Sequence, residues 1–153
     1  MPPLTEPELE EFFTTGAHIF RLSTISPTGH PYVVPVWYWY EDGRFMLAAR
    51  RQNEWLKHID ADSKVGACID TSDAPYTRVI IKGTADIVDR SWTGPWEPLA
   101  VRYVGQEAGH AYYEKTRSIP RVLVAITPVS IISWQGSDWH RKYNEDFGSP
   151  EDA

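Results

Sequence analysis

The side chains able to do acid–base or metal chemistry are scattered along this chain. His18, His30, His58, His110 and His140 stand far apart, and none belongs to an HExxH motif or lies beside a Cys-x-x-Cys pair. No serine occupies a G-x-S-x-G elbow. The lone cysteine, Cys68, lies within the apolar run from Val65 to Ile69 and reads as a reduced core residue rather than a nucleophile. Glycine-rich phosphate loops of Rossmann or Walker type are absent. If such a chain is an enzyme, its chemistry comes from a bound organic cofactor.

Cations beside aromatic residues give the more useful signal. Arg50 and Arg51 follow an apolar run and precede a helical stretch at residues 52–62, whose free N–H groups would also favour an anion. They serve equally well as phosphate ligands or as solvated charges between elements. Arg78 and Lys82 lie on one face of a strand-like segment. Lys82 reads as solvent-facing, and Arg78, near Tyr76, is the better ligand for a planar ring because guanidinium both stacks and hydrogen-bonds. Near the end, Trp134 and Gln135 are followed by Trp139 and the basic run His140-Arg141-Lys142, which stands out in an acidic chain.

The elements that must hold these residues centre on residues 30–51, HPYVVPVWYWYEDGRFMLAARR. Two apolar and aromatic arms flank Glu41-Asp42-Gly43, a strong hairpin signal. The first arm, read as one strand, is apolar on both faces, with Val33, Trp37 and Trp39 opposite Tyr32, Val34, Val36, Tyr38 and Tyr40. A second apolar face calls for a partner subunit or a flat ligand. A platform of this kind ending in Arg50-Arg51 suits a phosphate-bearing ring cofactor.

Before it, Thr5 to Glu8 forms a capping box opening a short helix that ends at Gly16, and residues 17–25 are strand-like. After it come the helix at 52–62, with Asn53 as a candidate cap, a strand at 64–71 and a long strand at 76–88. Gly83 in that strand marks a bulge or a close backbone approach. A helical region at 96–116, broken near Gly105 and Gly109, leads to two final strands bent at Pro128. Consecutive strands with short turns predict a mainly β, α+β fold: an antiparallel barrel with helices packed outside.

Composition narrows the function. A chain of 153 residues with 42% hydrophobic residues suits one folded domain, placed at residues 4–143 with flexible ends at 1–3 and 144–153. The net charge of −6 speaks against broad nucleic-acid or anionic-membrane binding, which require a basic face. Seven Trp and eight Tyr exceed what one small core needs and suggest an interface or ligand. No apolar targeting core or membrane-length run occurs, so a cytoplasmic protein is expected.

From about Leu4 to Tyr143 the chain resembles the pyridoxamine 5'-phosphate oxidase-like superfamily of split β-barrel flavin and deazaflavin proteins. The resemblance is carried by Gly29-His30-Pro31 with residues 33–37 (VVPVW), Phe45-Met46-Leu47-Ala48, residues 57–62 (KHIDAD), residues 79–85 (VIIKGTA) and Ser133-Trp134-Gln135-Gly136. It implies a homodimer with cofactor grooves between subunits and FMN, or deazaflavin coenzyme F-420, as cofactor. By similarity Pro35, Val36 and Trp37 would lie along the ring with Leu47 and Ala48 nearby. Arg78 would contact the cofactor, and Trp134 and Gln135 would close over it, commonly from the other subunit. The family's usual Arg-Lys phosphate pair is replaced by Glu54 and Trp55, leaving Arg50, Arg51 and Lys57 as substitutes.

The leading expectation is therefore a flavin- or deazaflavin-dependent oxidoreductase acting on a small organic substrate. The second is a non-enzymatic protein that binds or stores FMN, deazaflavin or haem. A barrel that stacks single-stranded nucleic acid on its Trp and Tyr rings comes last, given the acidic balance.

Overall fold

A computed structural model describes residues 3–137. Trp139, the His140-Arg141-Lys142 run and the expected flexible C-terminus lie outside the described residues. The element order is α1 (Glu6–Thr14), β1 (Phe20–Ile25), β2 (Pro31–Val36), β3 (Trp39–Glu41), β4 (Arg44–Ala49), α2 (Trp55–Ala61), β5 (Lys64–Asp70), β6 (Tyr76–Trp92), α3 (Glu97–Val104), α4 (Gln106–Thr116) and β7 (Arg121–Gly136). The strands form one seven-stranded sheet in the order β2-β1-β5-β6-β7-β4-β3. Every pairing is antiparallel, as the short turns predicted.

The expected first arm is not one strand. It breaks at Trp37-Tyr38; β2 pairs with β1, and β3 forms the hairpin with β4 across Asp42-Gly43, both at positive φ. The two halves thus occupy opposite edges of the sheet, although only Trp37 and Tyr38 separate them in the chain. Two residues span no more than about 10 Å with their flanking bonds, so the sheet must roll until its edges approach. The result is a split barrel, closed by chain connectivity and packing instead of a ladder.

Alternation supplies the core. Val79, Ile81 and Ala85 of β6 point inward with Leu22, Ile69, Leu47, Val124 and Ile126, all buried. Phe13 from α1 joins Phe20, Tyr38 and Phe45, with ring centroids of Phe13 and Phe45 4.8 Å apart, edge to face. Fully burying one such side chain contributes roughly 1.5–3 kcal/mol. Gly83 does sit at a register shift, and a Cβ there would lie 2.9 Å from the Thr127 carbonyl oxygen. β7 passes this irregularity at Pro128, opposite Gly83, and continues as one strand, where two were expected.

The seam leaves backbone groups outside the ladder, and these need partners. The helical hairpin α3–α4 provides them. Arg102 donates to the carbonyls of Gly16 (2.5 Å), Tyr38 (3.3 Å) and Phe13 (3.3 Å). Tyr103 Oη donates to the His18 carbonyl at 2.6 Å and accepts from the Tyr38 N–H at 3.3 Å. The hairpin turns at Gly105 (φ 91°), whereas Gly109 is helical: its missing Cβ would lie 2.6 Å from the Val101 backbone, so glycine permits α3 and α4 to approach.

Candidate functional site

Where the barrel seam meets the helical hairpin there is a cleft of about 260 Å³. Strand β2 and the break after it contribute Pro35, Val36 and Trp37. The end of β4 contributes Leu47, Ala48, Ala49 and Arg50. Asn53 and Trp55 close the floor, and Trp96, Leu99 and Tyr112 form the wall on the helical side. Arg121, the first residue of β7, completes it. The expected platform residues Pro35, Val36, Trp37, Leu47 and Ala48 are therefore together in space, with Arg50 at one end.

Trp37 is not an open stacking surface. One face lies parallel to Tyr103, centroids 5.0 Å apart at 3°, and its edge meets Tyr112 at 6.2 Å. It fixes the wall of the cleft, and the remaining apolar lining is aliphatic apart from Trp55 and Trp96.

At the polar end, two guanidiniums converge on one phenol. Arg50 Nη2 donates to Tyr112 Oη at 2.6 Å, and Arg121 Nη2 donates to the same oxygen at 3.0 Å. Arg121 is only 8% exposed, its Cζ 4.0 Å from the Trp96 centroid, and its Nε has no hydrogen-bond partner among the described residues. Neither arginine pairs with a carboxylate among the described residues. Two such charges sharing one phenol oxygen repel, an effect that solvent weakens because Arg50 is exposed. Burial raises the Tyr112 pKa, but hydrogen bonds and charge from Arg121 and then Arg50 outweigh it, leaving the phenol below its ordinary value.

Several expectations change here. Arg51 turns away and donates to Ser91 Oγ at 2.7 Å, beside a separate shallow depression that also contains Lys57. Lys57 is held instead by Glu54 at 3.6 Å. Helix α2 begins only at Trp55, Asn53 does not cap it, and the N–H groups of Leu56 and Lys57 are already bonded to the Asn53 and Glu54 carbonyls. A helix-end contribution to anion binding is thereby lost.

Arg78 and Trp134 are cross-strand partners elsewhere, with Arg78 Cζ 4.6 Å above the indole. Gln135 is exposed, lining a shallow groove against α1. Within one chain none of these three reaches the cleft. Arg78 and Trp134 belong to the outer sheet face, where Arg21, Cys68, Ile80 and Ile132 are aligned across four strands, whereas Gln135, paired with Thr77, lies on the opposite face towards α1. Cys68 is thus half-exposed on that face and not a core residue; burial, then Asp70, raises its thiol pKa.

Tyr112, Arg121, Trp96 and Leu99 were not found from sequence. Arg121 read only as a strand start, and Tyr112 lay in a polar helical stretch without a motif. The alternation of aromatic residues and arginines through 96–121 was the one available signal.

Residues 5–135 match the sequence profile of the family described as pyridoxamine 5'-phosphate oxidase. The chain belongs to this family. No curated protein matches it. Similar solved structures include an F-420 reductase, 19% identical over 79% of this chain and 94% of that one, TM-score 0.64. Another is a conserved hypothetical protein from Mycobacterium tuberculosis, 23% identical over 92% and 88% of the two chains, TM-score 0.68. A third is HutZ, the haem storage protein from Vibrio cholerae, 15% identical over 86% and 96%, TM-score 0.63. At these identities the likeness shows the family fold: a split antiparallel barrel with flanking helices. No helix among the described residues is long and apolar enough to cross a membrane.

Proposed function

We propose that this family member is a flavin-type oxidoreductase that binds FMN, or deazaflavin coenzyme F-420, in the seam cleft and acts on a small organic substrate. The observation carrying this reading is the cleft itself, in which an apolar strand platform ends at two guanidiniums without a carboxylate counter-ion among the described residues. The donor set fits a phosphate-bearing ring: the buried Arg121 Nε has no partner among the described residues, and Pro35, Val36 and Ala48 offer an apolar surface, with Leu47 buried behind them. When bound, such a cofactor supplies hydride transfer. The chain's own residues bind and orient it, exclude water through Trp37, Trp55 and Trp96, and set the charge at one end.

A homodimer accompanies this proposal. About 260 Å³ falls just under the usual range of ligand pockets, roughly 300–1,000 Å³, so one chain supplies part of a groove. The outer sheet face exposes Val33 (66%) and Ile132 (59%) and, among the described residues, leaves Arg78 Nε and Trp134 Nε1 without hydrogen-bond partners. A second copy seated there would cover the apolar residues and bring Trp134 towards the partner's cleft.

A storage or carrier protein is the second reading, favoured by the similarity to a haem storage protein. For haem specifically, no histidine among the described residues lines the cleft. Turnover discriminates: the protein loaded with FMN or F-420 is supplied with NAD(P)H or reduced deazaflavin and a panel of acceptors. Oxidation of the donor above the free-cofactor rate supports the enzyme. Stoichiometric binding with no turnover supports the carrier, and binding of none of FMN, F-420 and haem overturns both.

A further inference from the structure

We infer that Arg50, Tyr112 and Arg121 form a phosphate clasp that joins the barrel to the helical hairpin and takes over from the Arg-Lys pair absent at Glu54 and Trp55. The inference rests on the ring-cofactor reading only for what the phosphate is attached to.

Geometry distinguishes this cluster from a structural one. A buried arginine ordinarily has its N–H groups satisfied by carbonyls or a carboxylate. Among the described residues Arg121 has only hydroxyls, Tyr112 Oη at 3.0 Å and Thr116 Oγ1 at 3.4 Å, both reached by Nη2. Its Nε, more than nine-tenths buried with the rest of the residue, donates to nothing among the described residues. Nε and Nη2 are the side of the guanidinium that binds two oxygens of one phosphate in parallel. Trp96, stacked on the guanidinium plane, holds that edge in orientation.

Arg50 enters from the end of β4 and meets the same phenol at 2.6 Å. Tyr112 is the hinge of the arrangement, since it alone comes from α4. A tetrahedral anion between the guanidiniums would neutralise both and receive hydrogen bonds from β4, β7 and α4 at once. A carboxylate can bridge two arginines, but only with oxygens in one plane; a phosphate also presents oxygens out of that plane, towards the phenol as well as both guanidiniums. The chemical class is therefore a phosphate monoester or diester, borne by the ring cofactor or by a separate metabolite.

Purified protein titrated with FMN, riboflavin and sodium pyrophosphate tests the clasp, read by tryptophan fluorescence and thermal midpoint. Trp96 and Trp37 both contact Tyr112 and report on the site. FMN is expected to bind at least tenfold tighter than riboflavin. Arg121→Met should lose about 10–100-fold in FMN affinity and leave riboflavin unchanged, the range for a charge-assisted bond. Because Arg121 is buried, Arg50→Gln at an exposed position provides a second variant, expected to lose about tenfold. If neither FMN nor riboflavin binds but pyrophosphate raises the midpoint in wild type and not in Arg50→Gln, the clasp stands and serves a phosphorylated metabolite. Equal binding of FMN and riboflavin, or wild-type FMN affinity in Arg50→Gln, overturns it.

Discussion

Among the described residues, Arg121 and Arg78 each lie over an indole ring with an unpartnered Nε, and their surroundings differ. Arg121 sits 4.0 Å from the Trp96 centroid inside a cleft, beside a second cation and a phenol. Arg78 sits 4.6 Å from the Trp134 centroid on the outer sheet face, opposite Asp70 in the β5–β6 ladder. Asp70 Oδ1 lies 3.2 Å from Arg21 Nη2, a charge contact short of hydrogen-bond geometry. The same residue pair therefore reads as an anion site where charge is unbalanced and space is open. It reads as an interface where charge is nearly balanced and the neighbours are exposed Ile80 and Ile132. Local motif does not decide between them; the surrounding charge and shape do.

The largest expected effect separates the two arginines. Arg121→Met combined with Arg50→Gln should lower affinity for FMN about 100-fold, and Arg78→Met should leave the FMN–riboflavin ratio of the cleft within about threefold. Equal losses of that ratio in both would erase the distinction. Gly109→Val tests whether the helical hairpin is needed: with Val101 backbone 2.6 Å from the new Cβ, α3 and α4 must separate. A loss of about 1–3 kcal/mol in denaturant unfolding is expected, with weaker phosphate preference. Unchanged stability would show that the hairpin yields without cost.

For the outer face, Ile132→Asp should shift sedimentation from dimer to monomer, since about 59% of Ile132 is exposed within one chain. A monomeric wild type would instead assign the face to solvent. A smaller effect concerns Tyr38 under the seam, whose phenol is pushed up to about 12, chiefly by burial, from an ordinary 10.0. Folding favours its protonated form, so this contribution is full below pH 10.0 and declines as pH rises towards about 12. Tyr38→Phe should flatten the alkaline limb of stability while costing about 1 kcal/mol at neutral pH through the lost bond to the Phe13 carbonyl. Arg51→Gln should change FMN binding by less than about twofold, because Arg51 faces Ser91.

Much of the barrel was legible from local pattern. The alternation of Val79, Ile81 and Ala85, the Asp42-Gly43 hairpin and the Gly83 irregularity each follow from short-range rules and are found in place. The seam was not legible: residues 31–40 alternate well enough to pass for one strand, and only the pairing of β2 with β1 and β3 with β4 breaks them at Trp37-Tyr38. The doubly apolar arm that suggested a partner or ligand is partly explained by that break, since Tyr38 faces the core with 0% exposure. The site divided in the same manner. Its apolar platform and Arg50 lie close in sequence, whereas Tyr112 and Arg121 are brought to Arg50 by the pairing of β7 with β4 and by the hairpin before β7. Arg51, adjacent to Arg50, points elsewhere because consecutive side chains diverge.

A phosphate-bearing flavin-type ring bound in the seam cleft would report on itself through its own absorbance. Titration of the purified protein with FMN and with F-420, followed by the visible absorbance of the ring, tests that binding most directly. Saturable binding of one of them at one molecule per chain, with the spectral shift of a ring leaving water, is the predicted result. No saturation and no spectral change with either would contradict it.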